Sequence, residues 1–300
     1  MYDVIIIGGG IAGVQAAIQF GRYKREVLVL DKRNDGRSHW CKSYHNLIGW
    51  PDGVSGNHLL ELGRKQMEKY GCITVEHQEA VTAEKEKEIF SVKTADGQSH
   101  EGKLLLFATG ITDRIPIKEL YPLLGTDVYV CPDCDGYEIS GKRTVVTGSG
   151  EAGAGLAVML TYWSDDIVYI NHEQEPISEE TFEKLKKNSI EYYEQPVQEV
   201  VLDEEKRLEG FVLSDGDKIW AEKAFVAFGK NKVNSELAES LGVELHKNKH
   251  IENNPRTKET SVEGVWAAGD ITVHSEQVSI AMGDGMQAAI WMQKRLLKTT

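Results

Sequence analysis

Two cysteines separated by two residues form the segment of this chain best suited to chemistry, Cys131-Pro132-Asp133-Cys134. Thiols at this spacing can close into a disulfide and reopen with little movement of the backbone, and their pKa values can be depressed. Asp135 follows directly, and its carboxyl group can supply or accept the proton that disulfide exchange requires. The segment therefore predicts dithiol–disulfide chemistry, with Cys131, Cys134 and Asp135 as the catalytic residues.

A zinc site is the competing interpretation of the same pair. A tetrahedral site needs four ligands, and the two remaining cysteines, Cys41 and Cys72, are not paired by spacing and lie in no finger pattern. We therefore predict no metal, and we expect Cys41 and Cys72 to be ordinary buried or half-buried thiols.

A first glycine-rich segment precedes the cysteines, within a strand–turn–helix–strand pattern. The apolar run at residues 4–7 leads into Gly8-Gly9-Gly10-Ile11-Ala12-Gly13, and the next strand ends at Asp31. Glycines at this turn let the backbone approach a pyrophosphate, the helix N-terminus adds free N–H groups, and the acid accepts hydrogen bonds from a ribose. The pattern predicts a dinucleotide site with contacts from Gly8, Gly10, Ala12, Gly13 and Asp31.

A second strand–turn–helix–strand pattern follows the cysteines. Its turn contains Gly148, Gly150 and Gly153, and its second strand is expected at residues 167–170. The pattern predicts a nicotinamide dinucleotide site, which places the cysteine pair between two nucleotide loops.

The composition and charge exclude several other classes of protein. A net charge of -13 and a pI near 5.2 argue against a nucleic-acid surface and against docking on an anionic membrane. The apolar run after Met1-Tyr2-Asp3 has no basic region before it and is too short to span a bilayer. We expect a cytoplasmic enzyme with no nucleic-acid or membrane partner.

Residues 2–13, 108–110, 131–138 and 264–289 together resemble the low-molecular-weight thioredoxin reductase family, which comprises class II FAD-dependent pyridine nucleotide-disulfide oxidoreductases. The resemblance implies an α/β fold with two Rossmann-like nucleotide-binding domains of the three-layer ββα type, one inserted in the other. Residues 1–112 and 231–300 would form the FAD domain, and residues 113–230 the pyridine-nucleotide domain that carries the cysteines.

The resemblance also implies roles for single residues. Cys134 would face the flavin, Cys131 would attack the substrate disulfide, and Asp135 would be the acid–base group. Further FAD contacts are expected from Asn46, Ala108, Thr109, Gly110, Gly269, Asp270, Gln277 and Val278. The family implies a homodimer that acts on a thioredoxin-like protein or a small disulfide or dithiol.

The chain departs from the family after the second nucleotide loop. The family usually carries His-Arg-Arg there, whereas this chain has Asn171-His172-Glu173-Gln174-Glu175, without arginine or lysine. Carboxylates would repel the 2′-phosphate of NADPH, and an acid here favours a ribose 2′-hydroxyl. Glu173 is therefore predicted to contact the ribose, and NADH is favoured over NADPH.

Three hypotheses remain open for the activity: an NADH-preferring reductase, a reductase with a non-nicotinamide electron donor, and a dithiol oxidase that uses oxygen. Gly136-Tyr137-Glu138 matches the oxidases of the superfamily, whereas Asp135 matches the reductases. A second departure, Asp35-Gly36-Arg37 in place of Gly-Gly-Gln, predicts either a different flavin environment or a packing role.

Overall fold

The computed structural model describes residues 1–33 and 36–298 and forms two compact units. Unit 1 comprises Met1–His39, Ser55–Thr112 and Lys232–Thr300, and unit 2 comprises Trp40–Val54 and Asp113–Asn231. Most of unit 2 is thus inserted in the chain between two segments of unit 1. Both units are α/β with parallel sheets, which confirms the predicted fold class.

Unit 1 contains a mixed sheet, a two-stranded ribbon and the helices that accompany them. Its elements are β1 (Tyr2–Ile7), α1 (Ile11–Arg22), β2 (Val27–Leu30), α2 (Arg37–Trp40), α3 (Gly56–Met67), β3 (Ile73–Glu76), β4 (Ala80–Glu86), β5 (Ile89–Thr94), β6 (Ser99–Phe107), β7 (Ile111–Thr112), and, after unit 2, β16 (Lys232–Val233), α7 (Glu236–Ser240), β17 (Val265–Ala267) and α8 (Val278–Leu296).

The main sheet of unit 1 has the order β3-β2-β1-β6-β5-β4, with β17 beside the second half of β6. The strands β3, β2, β1, β6 and β17 are parallel to one another, whereas β5 runs antiparallel to both of its neighbours, β6 and β4. Successive side chains of β1 point to opposite faces: Val4 and Ile6 pack with α1 and α8, and Ile5 and Ile7 pack on the other face. The central strands are buried on both faces, which explains their continuous apolar sequence.

Unit 2 contains a parallel sheet, a small antiparallel sheet and three helices among the described residues. Its elements are β8 (Val128–Tyr129), α4 (Pro132–Asp135), β9 (Thr144–Gly148), α5 (Gly150–Leu160), β10 (Ile167–Asn171), α6 (Glu179–Lys187), β11 (Glu191–Tyr193), β12 (Val197–Leu202), β13 (Leu208–Leu213), β14 (Lys218–Trp220) and β15 (Lys223–Ala227). Short 3₁₀ turns cover Lys118–Leu123 and Gly136–Ile139.

The parallel sheet of unit 2, ordered β11-β10-β9-β15-β8, lies between two other layers. On one face, Val146 packs with Ala154 of α5 and Leu185 of α6. On the other face, Val145 packs with Phe211 of the antiparallel sheet β12-β13-β14. Unit 2 therefore has the three layers that the ββα type requires.

A buried ion cluster lies at the edge of the parallel sheet of unit 2. Asp127 is 2% exposed in its side chain, and its carboxylate accepts hydrogen bonds from Arg207 Nε at 2.6 Å and Lys223 Nζ at 2.8 Å. Burial alone would raise the pKa of Asp127, but these two cations hold it at about 2. The charge is stable in the interior because both of its partners are present.

The segment Trp40–Val54 lies in unit 2, whereas the sequence placed it within the first part of the FAD domain. Its contacts explain the difference: the Trp40 and Tyr121 rings lie 4.8 Å apart, and Lys42 N–H donates to the Leu124 carbonyl at 3.3 Å. These contacts join residues that are far apart in the sequence, so no local pattern predicts them. The assignment of one nucleotide to each unit stays a prediction.

No helix within residues 1–33 and 36–298 is both long and apolar enough to cross a bilayer.

Candidate active site

Cys131 and Cys134 form a disulfide at the start of α4, with their Cα atoms 5.3 Å apart. Pro132 occupies the first turn of this short helix, where its missing N–H costs nothing. The Cys131 Sγ accepts a hydrogen bond from the Cys134 N–H at 3.2 Å, and the Cys131 carbonyl accepts one from Asp135 N–H at 3.1 Å. The tight turn therefore holds the two sulfurs together, as the spacing predicts.

Asp135 is buried directly after the second cysteine, with 9% of its surface exposed. Burial, and then the charge of Glu138, raises the pKa of its carboxyl group from 3.8 to about 7. A group that titrates near neutrality can both give and take a proton at the pH of a cell. The environment of Asp135 thus suits the acid–base role that the sequence predicts.

Gly136 is required by packing. A Cβ at this position would lie 2.6 Å from the ring of Trp163, which covers the turn after the cysteines. The next residue, Tyr137, is 80% exposed. Sequence reasoning missed Trp163, because no motif links it to a glycine in another element.

Cys41 lies in the same unit as the disulfide, but it has the environment of an inert thiol. Burial, and then the charge of Asp135, raises the pKa of Cys41 to about 11. Its Sγ–H donates to the Ser43 carbonyl at 3.3 Å. Because the thiolate is the nucleophile, a thiol that stays protonated is a poor one. Cys72 is half-buried.

The first glycine loop joins β1 to α1 in unit 1. Gly8 has a φ of +114°, and a Cβ there would lie 2.6 Å from the carbonyl carbon of Ala108. A Cβ on Gly13 would meet the Gly8 carbonyl, whereas one on Gly10 would meet no atom within 4 Å. Gly8 and Gly13 are thus needed for packing, and Gly10 faces the open side that an approaching pyrophosphate needs.

Asp31 follows β2 and residues 108–110 follow β6, the two strands that flank β1 in unit 1. The Asp31 carboxylate accepts a hydrogen bond from Arg33 N–H at 3.2 Å and lies 3.5 Å from Arg64 Nη2. Thr109 Oγ1 donates to the Asn234 carbonyl at 2.7 Å, where the chain re-enters unit 1. These residues fit the ribose and backbone contacts that FAD needs.

Gly269 is held by a buried network that sequence reasoning missed. The carboxylate of Asp284 in α8 accepts hydrogen bonds from Gly269 N–H at 3.2 Å, Lys258 Nζ at 2.8 Å and His274 Nε2 at 2.6 Å. The bond to Asp284 raises the pKa of His274. Asp284 lies in no recognisable sequence motif, so only the fold reveals the hydrogen bonds that it accepts.

Arg37, one of the residues that departs from the family, faces this part of unit 1. Its Nη1 lies 2.6 Å from Glu276 Oε2 and 3.7 Å from Asp270 Oδ2. Gln277 is the N-cap of α8, which begins at Val278. Asp35 of the same departure lies outside the described residues.

Asn46 is exposed and belongs to unit 2, whereas the other predicted flavin contacts belong to unit 1. Its role at the flavin stays a prediction.

The second glycine loop joins β9 to α5. A Cβ on Gly148 would lie 2.5 Å from the Ala227 carbonyl oxygen, and one on Gly153 would lie 2.7 Å from Tyr169 Cζ. Gly150 has a φ of +49°, and its N–H donates to Asn171 Oδ1 at 3.0 Å. The packing of this loop follows the predicted motif.

Glu173 follows β10, as predicted, and although residues 171–175 contain no arginine, the fold brings one to Glu173 from another segment. The Arg114 guanidinium forms a two-pronged ion pair with the Glu173 carboxylate, from 59 residues earlier in the chain. Lys230 Nζ also lies 4.0 Å from Glu175 Oε1. Sequence reasoning missed both cations because they come from segments outside the 171–175 stretch.

Among residues 1–33 and 36–298, no group of three or more His, Cys, Asp or Glu side chains is placed so that it could hold a metal ion.

Comparisons with known proteins show similarity over nearly the whole chain. Residues 2–285 match the model of the pyridine nucleotide-disulphide oxidoreductases. The chain is 28% identical to thioredoxin reductase from Mycolicibacterium smegmatis, over 97% of this chain and 95% of that protein. It is 29% identical to thioredoxin reductase from Treponema pallidum, over 96% and 95%.

Among solved structures, the crystal structure of HlmI superposes with a TM-score of 0.88 at 28% identity, covering 99% of this chain and 93% of that one. These matches confirm the resemblance to thioredoxin reductases and the two-domain fold. The family implies FAD together with NADH or NADPH, and the chain is a flavin-linked disulfide oxidoreductase. The chain belongs to the pyridine nucleotide-disulphide oxidoreductase family.

Proposed function

We propose that the chain reduces the disulfide of a thioredoxin-like protein through Cys131 and Cys134. The observation that carries the proposal is the disulfide next to a buried carboxyl group whose pKa is about 7. The thioredoxin reductases among its relatives support a thioredoxin-like substrate. A homodimer and a cytoplasmic location are further inferences, the first from the family and the second from the sequence.

Gly8, Gly10, Gly13 and Asp31 would hold the FAD, which supplies the electron pair when bound. Reduction of the Cys131–Cys134 bond takes up two electrons and two protons and yields two thiols. Asp135 is the group placed to move a proton at this site, because it is about half protonated at neutral pH.

Transfer to the substrate then follows thiol–disulfide exchange. The Cys131 thiolate attacks one sulfur of the substrate disulfide, forming a mixed disulfide and releasing the other sulfur as a thiolate. The Cys134 thiolate attacks the Cys131 sulfur, which restores the Cys131–Cys134 bond and frees the second substrate thiol. Protonated Asp135 can donate its proton to a departing thiolate.

Of the two pyridine nucleotides, we infer that NADPH is the weaker ligand. The proximity of Arg114 does not favour NADPH, because Glu173 already neutralises that cation. A 2′-phosphate would then meet two neutral pairs, Arg114 with Glu173 and Lys230 with Glu175, instead of a free arginine.

The test is an anaerobic titration of the FAD-loaded protein with NADH and, separately, NADPH, followed by addition of an oxidised thioredoxin. Bleaching of the flavin by NADH and appearance of thioredoxin thiols are expected, and the Cys131→Ser, Cys134→Ser double variant should bleach without producing thiols. Failure to reduce the thioredoxin with a fully reduced flavin would contradict the proposal.

A dithiol oxidase is the second candidate, supported by the match of Gly136-Tyr137-Glu138 to that group. It predicts oxygen consumption with a dithiol substrate and loss of that activity in the same double variant. Bleaching by a dithiol but by neither nucleotide would favour the oxidase.

A further inference from the structure

We propose that Arg114 and Glu173 form a latch across the second nucleotide loop, which must open before a pyridine dinucleotide binds. Glu173 is paired with the cation that lies at the loop, so it competes with the phosphates of the nucleotide for that cation. The proposal rests on the proposed function only in assuming that this loop is the nucleotide site.

The position of Arg114 follows from the strand order of unit 2. The strand β9 lies between β10 and β15, and the second glycine loop begins at its carboxyl end. Arg114 pairs with Glu173, just after β10, and its Nη1 also donates to the carbonyl of Phe228, just after β15, at 3.3 Å. The guanidinium therefore bridges the ends of the two strands that flank the loop, and ligands of such sheets bind outside these strand ends.

The glycine loop also affects the charge of the Glu173 carboxylate. Hydrogen bonds from Arg114, and also from Ser149 between the first two loop glycines, hold the pKa of Glu173 below its ordinary value. Glu173 is thus an anion seated among the donors of the loop. A nucleotide phosphate seeks the same kind of donors.

The segment after Glu173 covers the loop as well. A Cβ on Gly150 would lie 3.1 Å from Glu175 Cβ and 3.3 Å from the Pro176 carbonyl oxygen. The segment is tied down at its far end, because Glu151 accepts hydrogen bonds from Ser178 N–H and, at 2.6 Å, from Thr181 Oγ1. Removal of Glu173 would therefore free the cation without unfolding the segment.

Charge explains why the latch discriminates between nucleotides. Both cations that the structure brings to this edge are engaged with carboxylates, Arg114 with Glu173 and Lys230 with Glu175. NADPH carries an additional phosphate and loses more from this arrangement than NADH. Replacing Glu173 by glutamine keeps its shape, removes its charge and leaves Arg114 for the ligand.

The experiment is calorimetric binding of NAD⁺ and NADP⁺ to the oxidised, FAD-loaded protein, which reports binding without turnover. We expect Glu173→Gln to bind both nucleotides about two- to fivefold more tightly, the range for a partly exposed ion pair, with the larger gain for NADP⁺. The matched control is Glu175→Gln, which removes an equal charge beside Lys230 and should change affinity less than about twofold. Arg114→Gln should bind neither nucleotide more tightly than the wild type does.

Unchanged or weaker binding by Glu173→Gln would overturn the latch, as would an equal gain in Glu175→Gln, which would indicate a general charge effect. No measurable binding by either the wild type or Glu173→Gln would also overturn it, because another feature would then exclude the nucleotide. Retained FAD and an unchanged unfolding curve confirm that each variant is folded. Thioredoxin reduction by chemically reduced enzyme tests the proposed function separately, so each idea can fail alone.

Discussion

Replacement of Asp135 by asparagine should make the protein more stable at alkaline pH and nearly inactive. The pKa of Asp135 is about 7 in the fold, against 3.8 for the ordinary group, and each unit of difference corresponds to about 1.4 kcal/mol. Because the folded pKa is raised, stability falls as pH rises from near 4 through 7. Above pH 7 the buried carboxylate destabilises the wild type by about 4 kcal/mol, a loss that the neutral asparagine does not suffer.

Urea unfolding of the FAD-loaded proteins at two pH values measures this difference. Between about pH 5 and about pH 8.5, the wild type should lose about 3 kcal/mol more of its free energy of unfolding than Asp135→Asn. Turnover of thioredoxin should fall about 10²- to 10⁴-fold in the variant, and the inflection near neutral pH in the rate of thiol exchange should disappear.

Asp133→Asn is the matched control, because Asp133 is an exposed carboxylate in the same short helix. It should retain both the stability profile and the activity. An equal pH dependence of stability in wild type and Asp135→Asn would refute the neutral pKa. Wild-type turnover in Asp135→Asn across the pH range would refute the acid–base role.

Three other changes test neighbouring parts of the argument. Glu138→Gln removes a charge that raises the pKa of Asp135, so the pH–rate inflection should move to lower pH. Gly136→Ala places a methyl group against Trp163 and should lower the free energy of unfolding by about 1–3 kcal/mol in urea. Asp127→Asn breaks a buried ion cluster and should cost about 3–5 kcal/mol at neutral pH, with the difference from wild type shrinking as pH falls toward 2.

Each of these changes has its own check. Gly155→Ala adds the same methyl group to α5, where no atom lies within 4 Å, and should leave stability equal or slightly higher; an equal loss in both variants would argue against the Trp163 contact. An unmoved inflection in Glu138→Gln would remove its charge as a cause. A loss in Asp127→Asn that persists unchanged in acid would indicate packing rather than charge.

The parts of the site that lie close together in the sequence were predictable. The run from β1 through the first glycine loop to Asp31 is a local pattern, and so is Cys131-Pro132-Asp133-Cys134. In each pattern, residues at a short spacing occupy a turn that restricts the backbone. The strands and helices that position these residues can therefore be predicted from hydrophobic periodicity and from the glycines.

The parts that depend on long-range packing were not predictable. Arg114 meets Glu173 because β15 and β10 flank β9 in the sheet, and strand order is not written in any single segment. Asp284 supports Gly269 only once α8 has docked on the sheet. In each case tertiary structure brings a charged side chain to a partner that is distant in the sequence, and no local sequence pattern predicts such a contact.

The contact between α1 and α8 has a consequence for how the protein is made. A Cβ on Gly285 of α8 would lie 3.0 Å from the carbonyl carbon of Ala12, so the two helices meet at the first glycine loop. A ribosome produces α1 before the parallel sheet of unit 2 and α8 after it. We expect unit 2 to fold first on the emerging chain, while the β1–α1 segment waits for its partner helix. Only chains whose synthesis has reached α8 would then bind the flavin. Chains without α8 would remain partly unfolded in unit 1 and would be open to proteolysis.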